Sequence, residues 1–180
     1  MGDPKKSRKQ YSRPRSPWRA DQLAQELYLL GTFGLRNKRE LWKVQTQLSS
    51  VRKQARTLLA ATEEVRLREE KKLLDSLQKR GLIREGATLD DILSLTVEDI
   101  LGRRLQSMVF KKGMALSPLH ARQLIVHGHV SVGERTITVP GYAVGGSEEG
   151  TIKLTGGAPP KEEAQPEQKE VAAEQPAQVQ

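Results

Sequence analysis

The chain has 180 residues, with 30 Lys or Arg against 22 Asp or Glu and a formal net charge of +8. That length allows one or two small domains, and that charge favours a polyanionic partner over a small acidic molecule. The lack of cysteine excludes disulfides and thiolate zinc sites, and no apolar run approaches the roughly 20 residues of a membrane span.

The charge is segregated. Residues 1–20 carry seven Lys or Arg and one Asp, whereas residues 158–180 carry two Lys and five Glu. Taking that acidic tail from the totals of 30 and 22 leaves 28 basic against 17 acidic side chains, a net +11. The N-terminus is basic without the apolar stretch of a secretory signal, so a soluble intracellular protein is expected.

Residues 1–19 mix Lys and Arg with three prolines and little apolar content. They are expected to form a disordered basic arm that orders only against RNA. From Ala20 to Leu30 the spacing of Leu23, Leu27 and Leu30 predicts a short helix ending near Gly31 and Gly34. A longer helix follows, with Leu41, Val44, Leu48, Val51, Ala55 and Leu58 in one apolar stripe. Arg36, Lys38, Arg39, Lys43, Arg52, Lys53 and Arg56 supply the cations of this stretch. Charge on a free helix face is ordinarily solvation, but the excess of cations over acids here tilts the set toward RNA contact.

A further helix is expected over residues 63–80, with Leu67, Leu74 and Leu77 inward and Gly81 as its left-handed terminator. Thr88 with Asp91, and Thr96 with Asp99, read as helix starts of the capping-box kind. Leu95 and Ile100 are placed for a hydrophobic staple around the second start. Residues 20–100 thus form a helical region.

Residues 101–157 form a second unit. A helix beginning near Val97 is expected to put Ile100, Leu101, Leu105, Met108 and Val109 on one side, with Arg103, Arg104 and Lys111 sharing an adjacent face. Lys112 falls at its frayed end before Gly113. Ser117 followed by Pro118 starts the next helix, whose free N–H groups suit a phosphate. Ala121, Leu124 and Ile125 face inward; His120, Gln123 and His127 lie beside them, and Gly128 closes the helix. HVSV and RTITV alternate about Gly133-Glu134 as a hairpin, with TIKL as a short closing strand. After residue 157 the composition is acidic and of low complexity, and residues 158–180 are expected to stay disordered.

Three histidines, His120, His127 and His129, fall within ten residues. Their spacing matches no metal-ligand pattern and no Cys supports one, so no metal and no cofactor is expected. Surface histidine is the ordinary reading; hydrogen bonding to RNA is the functional one, given Arg103, Arg104, Lys111, Lys112, Arg122 and Arg135 around them. Aromatic residues make up only 4% of the chain, so recognition by shape and phosphate is favoured over base stacking. The fold class is α+β: a helical N-terminal region, then two helices with a short antiparallel sheet. An RNA-modifying enzyme would need a catalytic domain with a positioned Asp nucleophile, and nothing here reads as one. A DNA binder is the other alternative, because phosphate contacts alone do not separate the two acids.

With those residues read, GRRLQSMVFKKG, SPLHARQLIVHGHVSV and TITVPGY resemble the S-four RNA-binding domain, or alpha-L motif. That domain also occurs as an accessory in pseudouridine synthases and tyrosyl-tRNA synthetase, so by itself it implies RNA binding only. The preceding stretch, PRSPWRADQLAQELYLLGTFGLRNKRELWKVQTQLSSVRKQARTLL, is similar to the N-terminal half of the archaeal and eukaryotic S-four ribosomal protein family, called S-nine in eukaryotes; GLRNKRE is the sharpest match. The resemblance covers about residues 12–145. It implies a cytoplasmic protein of the small ribosomal subunit that binds the 5′ domain of small-subunit rRNA at a multi-helix junction, early in assembly. It also implies neighbouring small-subunit proteins where mRNA enters, an influence on decoding accuracy, and neither a membrane nor a small-molecule substrate. The strongest contact candidates it implies are Arg103, Arg104, Lys111, Lys112, Ser117, His120, Arg122, Gln123, His127 and His129. Arg36, Lys38, Arg39, Lys43, Arg52, Lys53 and Arg56 are implied as supporting contacts. The alternative is a ribosome-associated or regulatory protein using the same domain on other structured RNA.

Overall fold

The computed structural model describes residues 9–155; the first part of the basic arm and the acidic tail lie outside the described residues. The longest helix, α2 (Lys38–Leu59), is the spine. Helices α1 (Ala20–Thr32), α3 (Glu63–Lys79), α4 (Leu89–Ser94) and α5 (Val97–Gly102) pack against it. The stripe expected on α2 forms: Leu41, Val44, Leu48 and Ala55 are buried with Leu77, Leu89, Ile92 and Leu101 in one apolar core. Burying each such leucine contributes about 1.5–3 kcal/mol.

The short helices are fixed locally. Thr88 and Asp91 form the capping box of α4, and Thr96 and Asp99 that of α5, where the Thr96 N–H donates to Asp99 Oδ2 at 2.8 Å. Each cap contributes about 1 kcal/mol and fixes where its helix begins.

The second unit has its own core of Leu105, Met108, Val109, Ala121, Ile125, Val130, Val144 and Ile152. Helices α6 (Leu105–Lys111) and α7 (Pro118–Val126) pack on a three-stranded antiparallel sheet of order β2-β1-β3. Strand β1 (Val130–Val132) turns through Gly133-Glu134 into β2 (Arg135–Thr136), pairing Val132 with Arg135. Gly133 adopts φ +62° there, a conformation that favours glycine. Strand β3 (Ile152–Leu154) pairs with the other edge of β1, Val130 opposite Leu154.

Three expectations are corrected. The helix from Val97 does not run on to Lys111. It stops at Gly102 and α6 begins at Leu105, because Arg103–Leu105 pair strand-fashion with Tyr142–Val144: Leu105 N–H donates to the Tyr142 carbonyl at 2.8 Å and Val144 N–H to the Arg103 carbonyl at 3.0 Å. Arg103, Arg104 and Lys111 therefore share no helix face. Leu27 is exposed, since the buried position of α1 is taken by Glu26. Leu67 is exposed as well, because α3 reaches the core through Leu73, Leu74 and Leu77.

Candidate RNA-binding surface

Asn37 sets the start of α2 by accepting the Glu40 N–H at 3.3 Å, and the cations of this region then divide. Arg36, Arg39, Lys43, Lys53 and Arg56 are exposed. Lys38 instead pairs with Glu26 at 3.0 Å, beside the Trp42 indole that donates to the same carboxylate at 3.1 Å. Arg52 donates to the Leu95 carbonyl at 2.5 Å and thereby satisfies the end of α4.

In the second unit the division is sharper. Lys111 and Lys112 are exposed at the end of α6. Arg103 lies over Gly81, where φ is +65° and an added Cβ would sit 2.8 Å from its guanidinium carbon, and it pairs with Glu149 at 2.7 Å. The Lys112 ammonium reaches the Glu149 backbone carbonyl. Arg104 is buried and pairs with Glu40 at 2.7 Å; Arg122, from α7, grips the other oxygen of Glu40 at 2.9 Å. Burial pushes the Glu40 carboxyl up, but the hydrogen bonds and charges of Arg122 and Arg104 outweigh it, so the group titrates below its ordinary value of 4.5. Glu26 follows the same logic, with Trp42 and Lys38 overcoming burial.

Ser117 caps α7 by accepting the His120 N–H at 3.1 Å, and His120 Nδ1 accepts the Leu116 N–H at 3.2 Å. With Nδ1 used as an acceptor, a neutral His120 ring carries its proton on Nε2, a donor for an oxygen ligand. Gln123 is exposed on α7 and His127 is exposed just past its last residue. His127 stacks on His129 with centroids 6.3 Å apart and planes 23° off parallel.

The structure thus gathers Lys111, Lys112, Ser117, His120, Gln123, His127 and His129 on the second unit. It leaves Arg104 and Arg122 engaged within the protein. Two open clefts lie here: one of about 750 Å³ is lined by Arg103, Lys111 and Lys112 with Glu98, Asp99 and Glu149, and one of about 700 Å³ by Lys43, Arg80 and Arg103 with Glu40, Arg104 and Arg122.

Sequence reasoning missed Arg80, the Glu40 pairing, and an aromatic cluster in which Tyr11 stacks on Trp42 at 6.0 Å with Lys9 over the Tyr11 ring. Glu40 carried one signal, as the single acid in a run of cations, but its position three residues after Asn37 also reads as plain capping. Among the described residues no group of three or more His, Asp or Glu side chains is arranged to hold a metal ion.

Two helices on a small antiparallel sheet, carrying exposed cations and hydrogen-bond donors, are the architecture of an S4 domain, and residues 103–149 match the S4 domain family. Residues 5–102 match the ribosomal protein S4/S9 N-terminal domain. The chain is 54% identical over 158 residues to the small ribosomal subunit protein uS4 of Cenarchaeum symbiosum (strain A), covering 88% of this chain and 77% of that one. It is 53% identical over 159 residues to the uS4 protein of Ignicoccus hospitalis, covering 88% and 94%. Against the uS4 protein of Hyperthermus butylicus it is 53% identical over 152 residues, covering 84% and 86%. The chain belongs to the ribosomal protein S4/S9 family.

Proposed function

We propose that this protein is a structural, non-enzymatic constituent of the small ribosomal subunit in the cytoplasm. It binds the 5′ domain of small-subunit rRNA at a multi-helix junction, joins the subunit early in assembly, and contributes to translational accuracy through neighbouring small-subunit proteins where mRNA enters. Similarity to proteins named uS4 over more than four-fifths of the chain supports this reading. The observation that carries the RNA-binding part is the exposure of Lys111, Lys112, Gln123 and His127 on the second unit, together with that of Arg39 and Lys43 on α2. These side chains offer donors and positive charge, which is what a phosphate backbone and the 2′-hydroxyls of folded RNA accept.

The contacts proposed are Lys111, Lys112, Ser117, His120, Gln123, His127 and His129, supported by Arg36, Arg39, Lys43, Lys53 and Arg56. Arg103 takes part by exchanging Glu149 for phosphate. Arg104, Arg122, Lys38 and Arg52 act by holding the surface in shape. The test is filter binding to a transcript of the 5′-domain junction against a plain RNA duplex: preference for the junction supports the reading, and equal affinity opposes it.

A further inference from the structure

We propose that Glu40 is a positioning residue that sets specificity: by gripping Arg104 and Arg122 it locks the S4 domain to α2, so that two cationic faces read one RNA, and it withholds those arginines from other phosphates. This rests on the RNA-binding function proposed above.

Glu40 sits in the first turn of α2 among Arg36, Lys38, Arg39 and Lys43, yet it turns into the joint between the two units. Both of its oxygens accept from the second unit: Oε2 from Arg104 Nη2 at 2.7 Å and from Arg122 Nη1 at 3.4 Å, and Oε1 from Arg122 Nη2 at 2.9 Å. Arg122 also reaches Gln106 Oε1 at 3.4 Å. The Gln106 amide in turn donates to the carbonyls of Gly34, Pro118 and Phe33 at 2.9, 2.9 and 3.2 Å. One carboxylate therefore heads a continuous polar network joining α2, the α1–α2 turn, α6 and α7. The backbones also meet here. At Gly34, where φ is +57°, an added Cβ would lie 2.8 Å from Pro118 Cβ and 2.9 Å from Gln106 Nε2.

This joint ties the start of α2, which carries the exposed Arg39 and Lys43, to α6 and α7, and so sets the spacing between their cations. A folded RNA that spans both faces senses that spacing. A plain duplex that touches one face at a time does not. Replacing Glu40 with a neutral side chain therefore has opposite consequences for the two ligands. Net charge rises by one and Arg122 is released, which favours any polyanion. The spacing loosens, which disfavours the junction alone.

The experiment titrates the full-length wild type and E40Q, each first shown to be folded by thermal melting, against a 5′-domain junction transcript and a plain RNA duplex. The expected result is an affinity for the junction lowered about fivefold or more and an affinity for the duplex raised about twofold. G34A changes no charge and wedges the same joint, so it should weaken junction binding and leave duplex binding unchanged; it carries the test alone if E40Q does not fold. The inference is overturned if E40Q moves both affinities in the same direction, or if G34A binds the junction as tightly as wild type. A wild-type protein with no preference for the junction would instead overturn the function proposed above.

Discussion

The side-chain amide of Gln106 donates to the backbone carbonyl of Gly34 at 2.9 Å, across 72 residues of sequence. Gln106 is 1% exposed, so this contact ties the first turn of α6 to the α1–α2 turn in a place water does not reach. Buried carbonyls that lose their donor cost about 1–3 kcal/mol each. Q106L is therefore expected to destabilise the protein by about 2–4 kcal/mol, seen as a lower urea midpoint; an unchanged midpoint would mean that solvent substitutes for the amide.

Acid should weaken the same joint. Glu40 and Glu26 have folded-state values held below the ordinary 4.5, so each favours the fold when ionised. That contribution is present above the ordinary value and is lost as pH falls through the lower folded one. Urea midpoints should fall on acidification below about pH 4.5, and E40Q should lose less over that window while starting about 3 kcal/mol less stable. Parallel acid profiles for E40Q and wild type would contradict this.

Core and surface leucines provide a control on the packing. Leu41 is fully buried on α2, and Leu41→Ala should cost about 2–5 kcal/mol. Leu67 is 66% exposed on α3, and Leu67→Ala should stay within about 0.5 kcal/mol of wild type. Chemical denaturation of the two variants checks the assignment directly.

Much of this fold is legible in the chain because its determinants are local. The α2 stripe, the Thr88–Asp91 and Thr96–Asp99 boxes, the Ser117–Pro118 start and the Gly133-Glu134 turn all lie within a few residues of what they specify. The break at Arg103–Arg104 is not, since it depends on backbone pairing with Tyr142–Val144, about 40 residues away. The candidate surface divides in the same manner. Composition locates the cations, but Arg104 and Arg122 meet Glu40 across 64 and 82 residues, and nothing near either arginine announces that partner. Leu27 and Leu67 misled for a related reason: helical spacing gives a face, and only tertiary packing decides which face is buried.

Salt dependence separates cations that touch phosphate from cations that hold the surface in shape. K111Q/K112Q should weaken junction binding and shallow the log–log salt slope by about 0.7–0.9 per lost contact. R104Q should weaken binding through lost alignment, with its slope unchanged. Identical slopes for all three proteins would place Lys111 and Lys112 outside the contact surface.

A folded S4-family protein that reads one rRNA architecture should distinguish it from other nucleic acids of similar charge. The most direct measurement is a salt-titrated binding assay of the full chain against the small-subunit 5′-domain junction, with duplex DNA and an unrelated structured RNA as competitors. Tight binding that survives both competitors at moderate salt is the expected result. Equal binding to all three nucleic acids, collapsing together as salt rises, would contradict it.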